Sequence, residues 1–232
     1  MNKNILIIIA VLIIGAIGGS LFQLFILPGL MGHPYFGNLE IIKRLKSEVI
    51  VNPVEHITIG QDTALEEAIK KVENTVVGVP NGSGVIITSD GLIVTLSDLL
   101  PKTDTDSVFI EGKEIGYEVI RRDLKQNLAL VKINQDNTLA CKFADLSDIK
   151  MGQKVFLFGI ITENEAPKSI TNQGSIKMFD DEFIYTNIIE DKALNGSPLF
   201  NVWGEVLGLN IVDKQGKVST ISIDNIRKFA GF

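Results

Sequence analysis

The residues able to do chemistry are few and scattered. Ser197 lies close to Lys192, and such a pair works as nucleophile and base when the lysine is desolvated enough to be neutral. Glu190 and Asp191 are adjacent carboxylates without a His or Cys partner, which reads as a solvated loop and not as a metal site. The single cysteine, Cys141, cannot make an internal disulfide. Within Leu139-Ala140-Cys141-Lys142-Phe143 it reads as a small packing residue on a strand or strand end. The two histidines, His33 and His56, both precede the β-rich part of the chain, and no base position matches His56. The pair Asn195-Gly196 invites deamidation, which is chemical ageing and not function. Neither a metal nor a cofactor is expected from this set.

The elements that must position these residues are mostly strands. Short β-rich runs fall at Val76–Val79, Gly84–Thr88, Leu92–Thr95, Ser107–Ile110, Gly116–Ile120 and Leu128–Ile133. A second set follows at Lys154–Gly159, Ser169–Lys177, Phe183–Asn187, Ser197–Phe200, Val206–Val212 and Val218–Ile223. Turn signals separate many of them: Ser89-Asp90-Gly91, Glu111-Gly112, Gln173-Gly174, Trp203-Gly204 and Gln215-Gly216. Many short strands with regular turns predict a sandwich or barrel. Thr63-Ala64-Leu65-Glu66 has the capping-box pattern, so a short helix should run from there to about Val72. A closing helix is expected over Ile223–Phe229.

Upstream, the apolar run Ile5–Leu27 is interrupted only by Ser20 and Gln23 among its polar residues, and no charge occurs between Asn4 and Leu39. At ~1.5 Å per residue it reaches about 34 Å, which predicts an uncleaved transmembrane helix meeting membrane lipid. A signal peptide would have a shorter apolar region. Gly15 and Gly19 have the spacing of a weak helix-pairing motif. Leu39, Ile42, Leu45 and Val49 recur at helical spacing in Asn38–Val51, predicting a juxtamembrane amphipathic helix. The expected organisation is an anchor over residues 1–30, a helix and linker over 31–62, and a folded domain over 63–232. Charged residues at 22% and apolar residues at 45% of the 232-residue chain fit a folded protein. The net charge of -6, with no basic block, argues against nucleic acid as a partner.

Three segments carry a family resemblance. They are Gly82-Ser83-Gly84-Val85-Ile86-Ile87 running to Thr95-Leu96-Ser97-Asp98-Leu99-Leu100, then Asn127-Leu128-Ala129-Leu130-Val131-Lys132-Ile133, then Ala193-Leu194-Asn195-Gly196-Ser197-Pro198-Leu199. In this order they resemble the three catalytic motifs of the HtrA/Deg branch of the trypsin-like (chymotrypsin-fold) serine peptidases. Asn201–Asn210 and Ser219–Asp224 are similar to the hairpin and final strand that follow in that family. The resemblance covers about Thr63 to Phe232. It implies an all-β, double six-stranded barrel outside the cytoplasm; with the resemblance reaching Phe232, the PDZ domain that often follows in the family is not expected within these residues.

Where the family has His, Asp and Ser, this chain has Asp98, Asn127 and Asn195. Serine-protease chemistry needs a hydroxyl nucleophile, an imidazole to carry its proton and a carboxylate to orient that imidazole. An aspartate is too weak a base for a serine hydroxyl, an asparagine amide cannot stabilise an imidazolium, and an asparagine is no useful nucleophile. The resemblance therefore implies a peptidase frame without the peptidase triad: a pseudoprotease that binds peptide or protein, or scaffolds a homo- or hetero-oligomer. Ala193, Asn195, Gly196 and Ser197 are the expected binding positions. Backbone N–H groups at Asn195 and Ala193 would form the family's oxyanion hole, part of which can survive without the triad. The alternative is an active endopeptidase that uses Ser197 as an unorthodox nucleophile.

Overall fold

The computed structural model describes residues 3–26, 61–163 and 166–232. The chain divides into two units, Met1–Thr58 and Ile59–Phe232. In the first, α1 (Lys3–Leu21) is followed by a π-helical segment, Phe22–Ile26. No helix among the described residues is long and apolar enough to cross a membrane. The transmembrane helix expected over Ile5–Leu27 is therefore not supported. Regular α-helix stops at Leu21, and from Ile5 it covers only about 25 Å, short of a ~30 Å hydrocarbon core. The helix expected over Asn38–Val51, and both histidines, lie outside the described residues.

The second unit opens with α2 (Gln61–Val72). It begins two residues before Thr63, so that residue lies inside the first turn and is not the cap that its spacing suggests. Six strands then close a barrel: β1 (Val76–Val79), β2 (Gly82–Ile86), β3 (Leu92–Leu96), β4 (Thr105–Ile110), β5 (Lys113–Asp123) and β6 (Leu128–Ile133). Their order is β1-β2-β3-β6-β5-β4, and Gly78 opposite Phe109 joins the ends. A two-residue strand, β7 (Lys142–Phe143), leads across to the second barrel.

That barrel is built from β8 (Lys154–Glu163), β9 (Ala166–Phe179), β10 (Phe183–Ile189), β11 (Pro198–Asn201), β12 (Glu205–Val212) and β13 (Lys217–Ser222). The order is β11-β8-β9-β10-β13-β12, closed by β11–β12 pairing, with β7 added parallel to β12. The chain then forms α3 (Ile223–Ala230), which ends at Gly231 in the left-handed conformation usual for a helix C-terminus. Both expected sets of six strands are present.

Two departures have a clear cause. The β8–β9 hairpin runs in unbroken register from Lys154↔Ser175 to Glu163↔Ala166, longer than either apolar run, because ladder hydrogen bonds continue past the buried residues. Gln173-Gly174 is no turn but lies within β9. Its glycine answers to crowding: a Cβ on Gly174 would sit 2.4 Å from Asn187 Oδ1 and 2.6 Å from Ile188 Cγ1. By contrast, Glu111 and Gly112 both have positive φ, at 50° and 75°, as a tight β4–β5 hairpin requires.

β1, β2, β3, β6, β11 and β12 are buried along almost their whole length, so both barrels are filled from strands covered on both faces. Phe156 and Phe200, each fully buried, stack with centroids 5.3 Å apart. The barrels meet at Ser83, which is wholly buried. Its hydroxyl donates to Ile160 O at 3.0 Å and accepts from Ile160 N at 2.9 Å. Its backbone N–H donates to Asn195 O at 3.0 Å. Removing the hydroxyl leaves the Ile160 N–H without a partner in the seam. We expect Ser83→Ala to lower unfolding free energy by about 1–3 kcal/mol in urea titration, the cost of an orphaned buried donor.

Candidate functional site

The site is assembled from three loops at the seam. The first follows β3, where residues Ser97–Leu99 make a single 3-10 turn with Asp98 exposed and its neighbours buried. Asn127, just before β6, holds that turn twice: its backbone carbonyl accepts from Ser97 N and its side-chain Oδ1 accepts from Asp98 N, both at 3.0 Å. Asn127 adopts φ 54°, a left-handed conformation that asparagine tolerates better than most residues. Arg122 braces the same loop from β5, donating to Pro101 O at 2.6 Å, Thr103 O at 3.1 Å and Ser97 O at 3.4 Å.

The third loop joins β10 to β11. Asp191 caps a 3-10 turn, Lys192–Leu194, by accepting the Ala193 N–H at 2.8 Å. Asn195 N donates to Lys192 O at 3.0 Å. The two N–H groups expected to form an oxyanion hole are thus both engaged inside their own turn. Asn195 points its carboxamide at the other wall, where Oδ1 accepts from Val212 N at 2.7 Å. Val212 is the last residue of β12, beyond the β11 pairing and opposite Val218 of β13.

Gly196 has φ 74°, and a Cβ there would lie 2.2 Å from Ser83 O and 2.7 Å from Leu99 Cδ1. That contact sets the Asp98 turn against the Asn195 loop. Asp98, Asn127 and Asn195 are therefore brought to one seam, but only Asp98 and Asn127 are hydrogen-bonded to each other. An exposed carboxylate, an amide fixed to backbone and an amide turned to β12 make no proton relay.

Ser197 is placed differently from its expected role. It is fully buried, its Oγ accepts from Asn210 Nδ2 at 3.1 Å, and Asn210 Oδ1 accepts from Thr220 Oγ1 at 2.7 Å. Lys192 is exposed, so the Ser197–Lys192 dyad does not form. Ser197 serves the barrel interior and not the cleft. Glu190 and Asp191 diverge: the Glu190 carboxylate takes Asn172 Nδ2, while Asp191 caps the Ala193 turn. Arg122 and Val212 stand outside the three motifs of the sequence, and nothing in their local pattern marks them as site residues. The Asp191-x-Ala193 spacing, an Asx turn, was the one available signal.

Two chemical outcomes follow. Burial pushes the Cys141 thiol up to about 12, so the thiolate is suppressed through neutral and mildly basic pH. Iodoacetamide at pH 8.5 should modify Cys141 at least about a hundredfold more slowly in the native protein than in guanidinium, as read by intact mass. At Asn195, deamidation requires Gly196 N to attack the side-chain carbonyl carbon. Here that N–H donates to Asn210 O at 2.8 Å and the carboxamide is held by Val212. Peptide mapping after mild alkaline incubation should find Asn195 intact in the folded protein and converted in the unfolded chain.

Residues 82–209 match the trypsin-like peptidase domain family. A probable periplasmic serine endoprotease, DegP-like, of Halomonas elongata is 31% identical over 135 residues, covering 56% of this chain and 28% of the relative. Mouse serine protease HTRA4 is 32% identical over 162 residues, covering 64% of this chain and 33% of the relative. The chain thus spans about a third or less of the length of these curated relatives. The solved serine endoprotease from Yersinia pestis superposes with TM-score 0.64 at 21% identity, over 72% of this chain and 65% of that one, and shares its fold. Since the domain match takes in more than half of its length, the chain belongs to the trypsin-like peptidase family, and its relatives set it in the HtrA branch.

Proposed function

We propose that this chain is a catalytically inactive HtrA-like homologue that binds or scaffolds a protein partner outside the cytoplasm. The observation that carries the reading is the pairing of Asn195, at the nucleophile position, with Val212 N. The residue that would attack a carbonyl is instead a structural amide, and no imidazole stands at the base position, where Asp98 is. The closed Lys192–Leu194 turn supports the same reading, because a tetrahedral oxyanion would find its two donors already bonded. The periplasmic description of DegP-like relatives supports an extracytoplasmic site. The exposed apolar surface of α1, with Val11, Leu12, Ile14 and Ile17 all more than half exposed, supports holding the chain at lipid.

A fluorophosphonate probe tests the inactive reading. We expect no covalent labelling of the full chain in nonionic detergent beside a labelled trypsin-like control, and no cleavage of unfolded casein. Labelling at any serine would overturn the proposal. We further expect the triple substitution Asp98→His, Asn127→Asp, Asn195→Ser to label weakly. Adding Asp191→Ala frees the Ala193 N–H and should raise its acylation rate by about a hundredfold, the lower end of what one oxyanion donor supplies.

A further inference from the structure

Away from the cleft, the second barrel carries two grooves that share Asp145 and Ile149. The first encloses about 630 Å³ and is walled by Trp203 and Met151, which are 66% and 72% exposed. Its floor is apolar and buried, from Ala144, Ile149 and Leu207. The second encloses about 620 Å³ over Ile184 and the edge of Phe179, which is 40% exposed. Large side chains standing out around an apolar floor are the usual mark of a docking surface.

The charge lining these grooves is mostly negative. Asp145, Asp148 and Glu205 line the first, and Asp180, Asp181 and Asp224 join Asp145 in the second. Lys150 and Lys228 are the only cationic side chains among the lining residues. Glu205 is occupied by Lys142 and Asn201, and Asp180 accepts from Glu182 N and Phe183 N. The carboxylates of Asp148, Asp181 and Asp224 take no hydrogen bond from any described residue. Hydrogen bonds from Ser147 hold the Asp145 carboxyl below the ordinary carboxylate range.

The walls are built and not loose. Asn201 Oδ1 accepts from both Trp203 N and Glu205 N at 3.0 Å, which fixes the hairpin bearing the tryptophan. Asp145 caps the turn before Ile149 through Ser147 N at 2.9 Å. On the facing side, Gly152 N is tied to Ile176 O at 2.8 Å. A ligand therefore meets a preformed surface and does not have to order it.

The geometry points to a docking site for a basic peptide segment of a partner protein. One arginine or lysine side chain lies over Trp203 beside Asp148, a second lies at Asp181 and Asp224, and apolar residues between them cover Ile149. An indole face is the strongest of the cation–π partners, and it stands here among carboxylates with an apolar floor for the side-chain stem. An anionic ligand would face repulsion across both grooves. This site rests on the binding-module reading and names where that module holds its partner.

Trp203 is the only tryptophan of the chain, so the site carries its own reporter. Full-length protein in nonionic detergent would be titrated with a short Arg-Gly-Leu repeat peptide, and with the same peptide carrying Glu for Arg. We expect saturable change in tryptophan fluorescence with the Arg peptide alone, weakening as salt is raised. By anisotropy of the labelled Arg peptide, Trp203→Ala and the double change Asp148→Asn, Asp181→Asn should each weaken binding at least about tenfold, with unchanged circular dichroism. No binding, or equal binding by both variants, overturns the site. So does a self-associated chain in which Trp203 is shielded from acrylamide and the peptide does not compete, because a second copy then covers the groove. Mass spectrometry of the recovered peptide separates the two readings: cleavage sinks the inactive-module proposal, whereas intact, unbound peptide sinks only the groove.

Discussion

Ser83 is the residue through which the two barrels become one site. Each of its polar groups is committed across a gap: the N–H to Asn195, the hydroxyl both ways to Ile160, and the carbonyl to Thr95 Oγ1 at 2.7 Å. No water reaches it, so each of those bonds has to be made within the protein. The flanking glycines answer to the same closeness. A Cβ on Gly82 would fall 2.4 Å from Asn195 O, and one on Gly196 would fall 2.2 Å from Ser83 O. The loop that would carry a nucleophile is thus pinned to the first barrel by backbone, whatever its side chains do.

That pinning holds the shape of the site through backbone contacts. In an active site the polar side chains are held by one another and by substrate. Here each has found a backbone partner. Asn127 fastens the Asp98 turn, Asn195 fastens the end of β12, and Asp191 fastens Ala193. Beneath them Ser197, Asn210 and Thr220 form a fully buried hydrogen-bonded chain that joins β11, β12 and β13. Of the buried polar side chains in this arrangement, the Ser97 hydroxyl has no partner among the described residues, while Ser197, Asn210 and Thr220 are paired.

Much of the fold was legible because buried barrel strands leave short β-branched apolar runs in the sequence, bounded by turn residues. Val76, Ile86, Val94, Leu130 and Ile133 lie in the core where the strand runs put them. What misled was local. Gln173-Gly174 looks like a turn, but its glycine relieves a clash with β10. Thr63 looks like a cap, but the helix already runs from Gln61. Ser197 looks like a spare hydroxyl, but the β11–β12 pairing turns it inward. For Gly174 and Ser197 the outcome was decided by neighbours distant in the chain, and for Thr63 by the start of its own helix.

The same division holds for the site. Residue identity alone carried the expectation that Asp98, Asn127 and Asn195 do not run a serine-protease relay, because basicity and nucleophilicity belong to side-chain chemistry. Sequence order also established the double barrel, through twelve short strands in two sets. Only the tertiary structure decided that the oxyanion donors are closed within the Lys192–Leu194 turn, and that Asn195 faces Val212. Only it gathered Asp145, Asp181 and Asp224 around one apolar floor. Hydrogen-bond direction and shared surface depend on strand register and barrel closure, which place residues far apart in sequence within a few ångströms of each other.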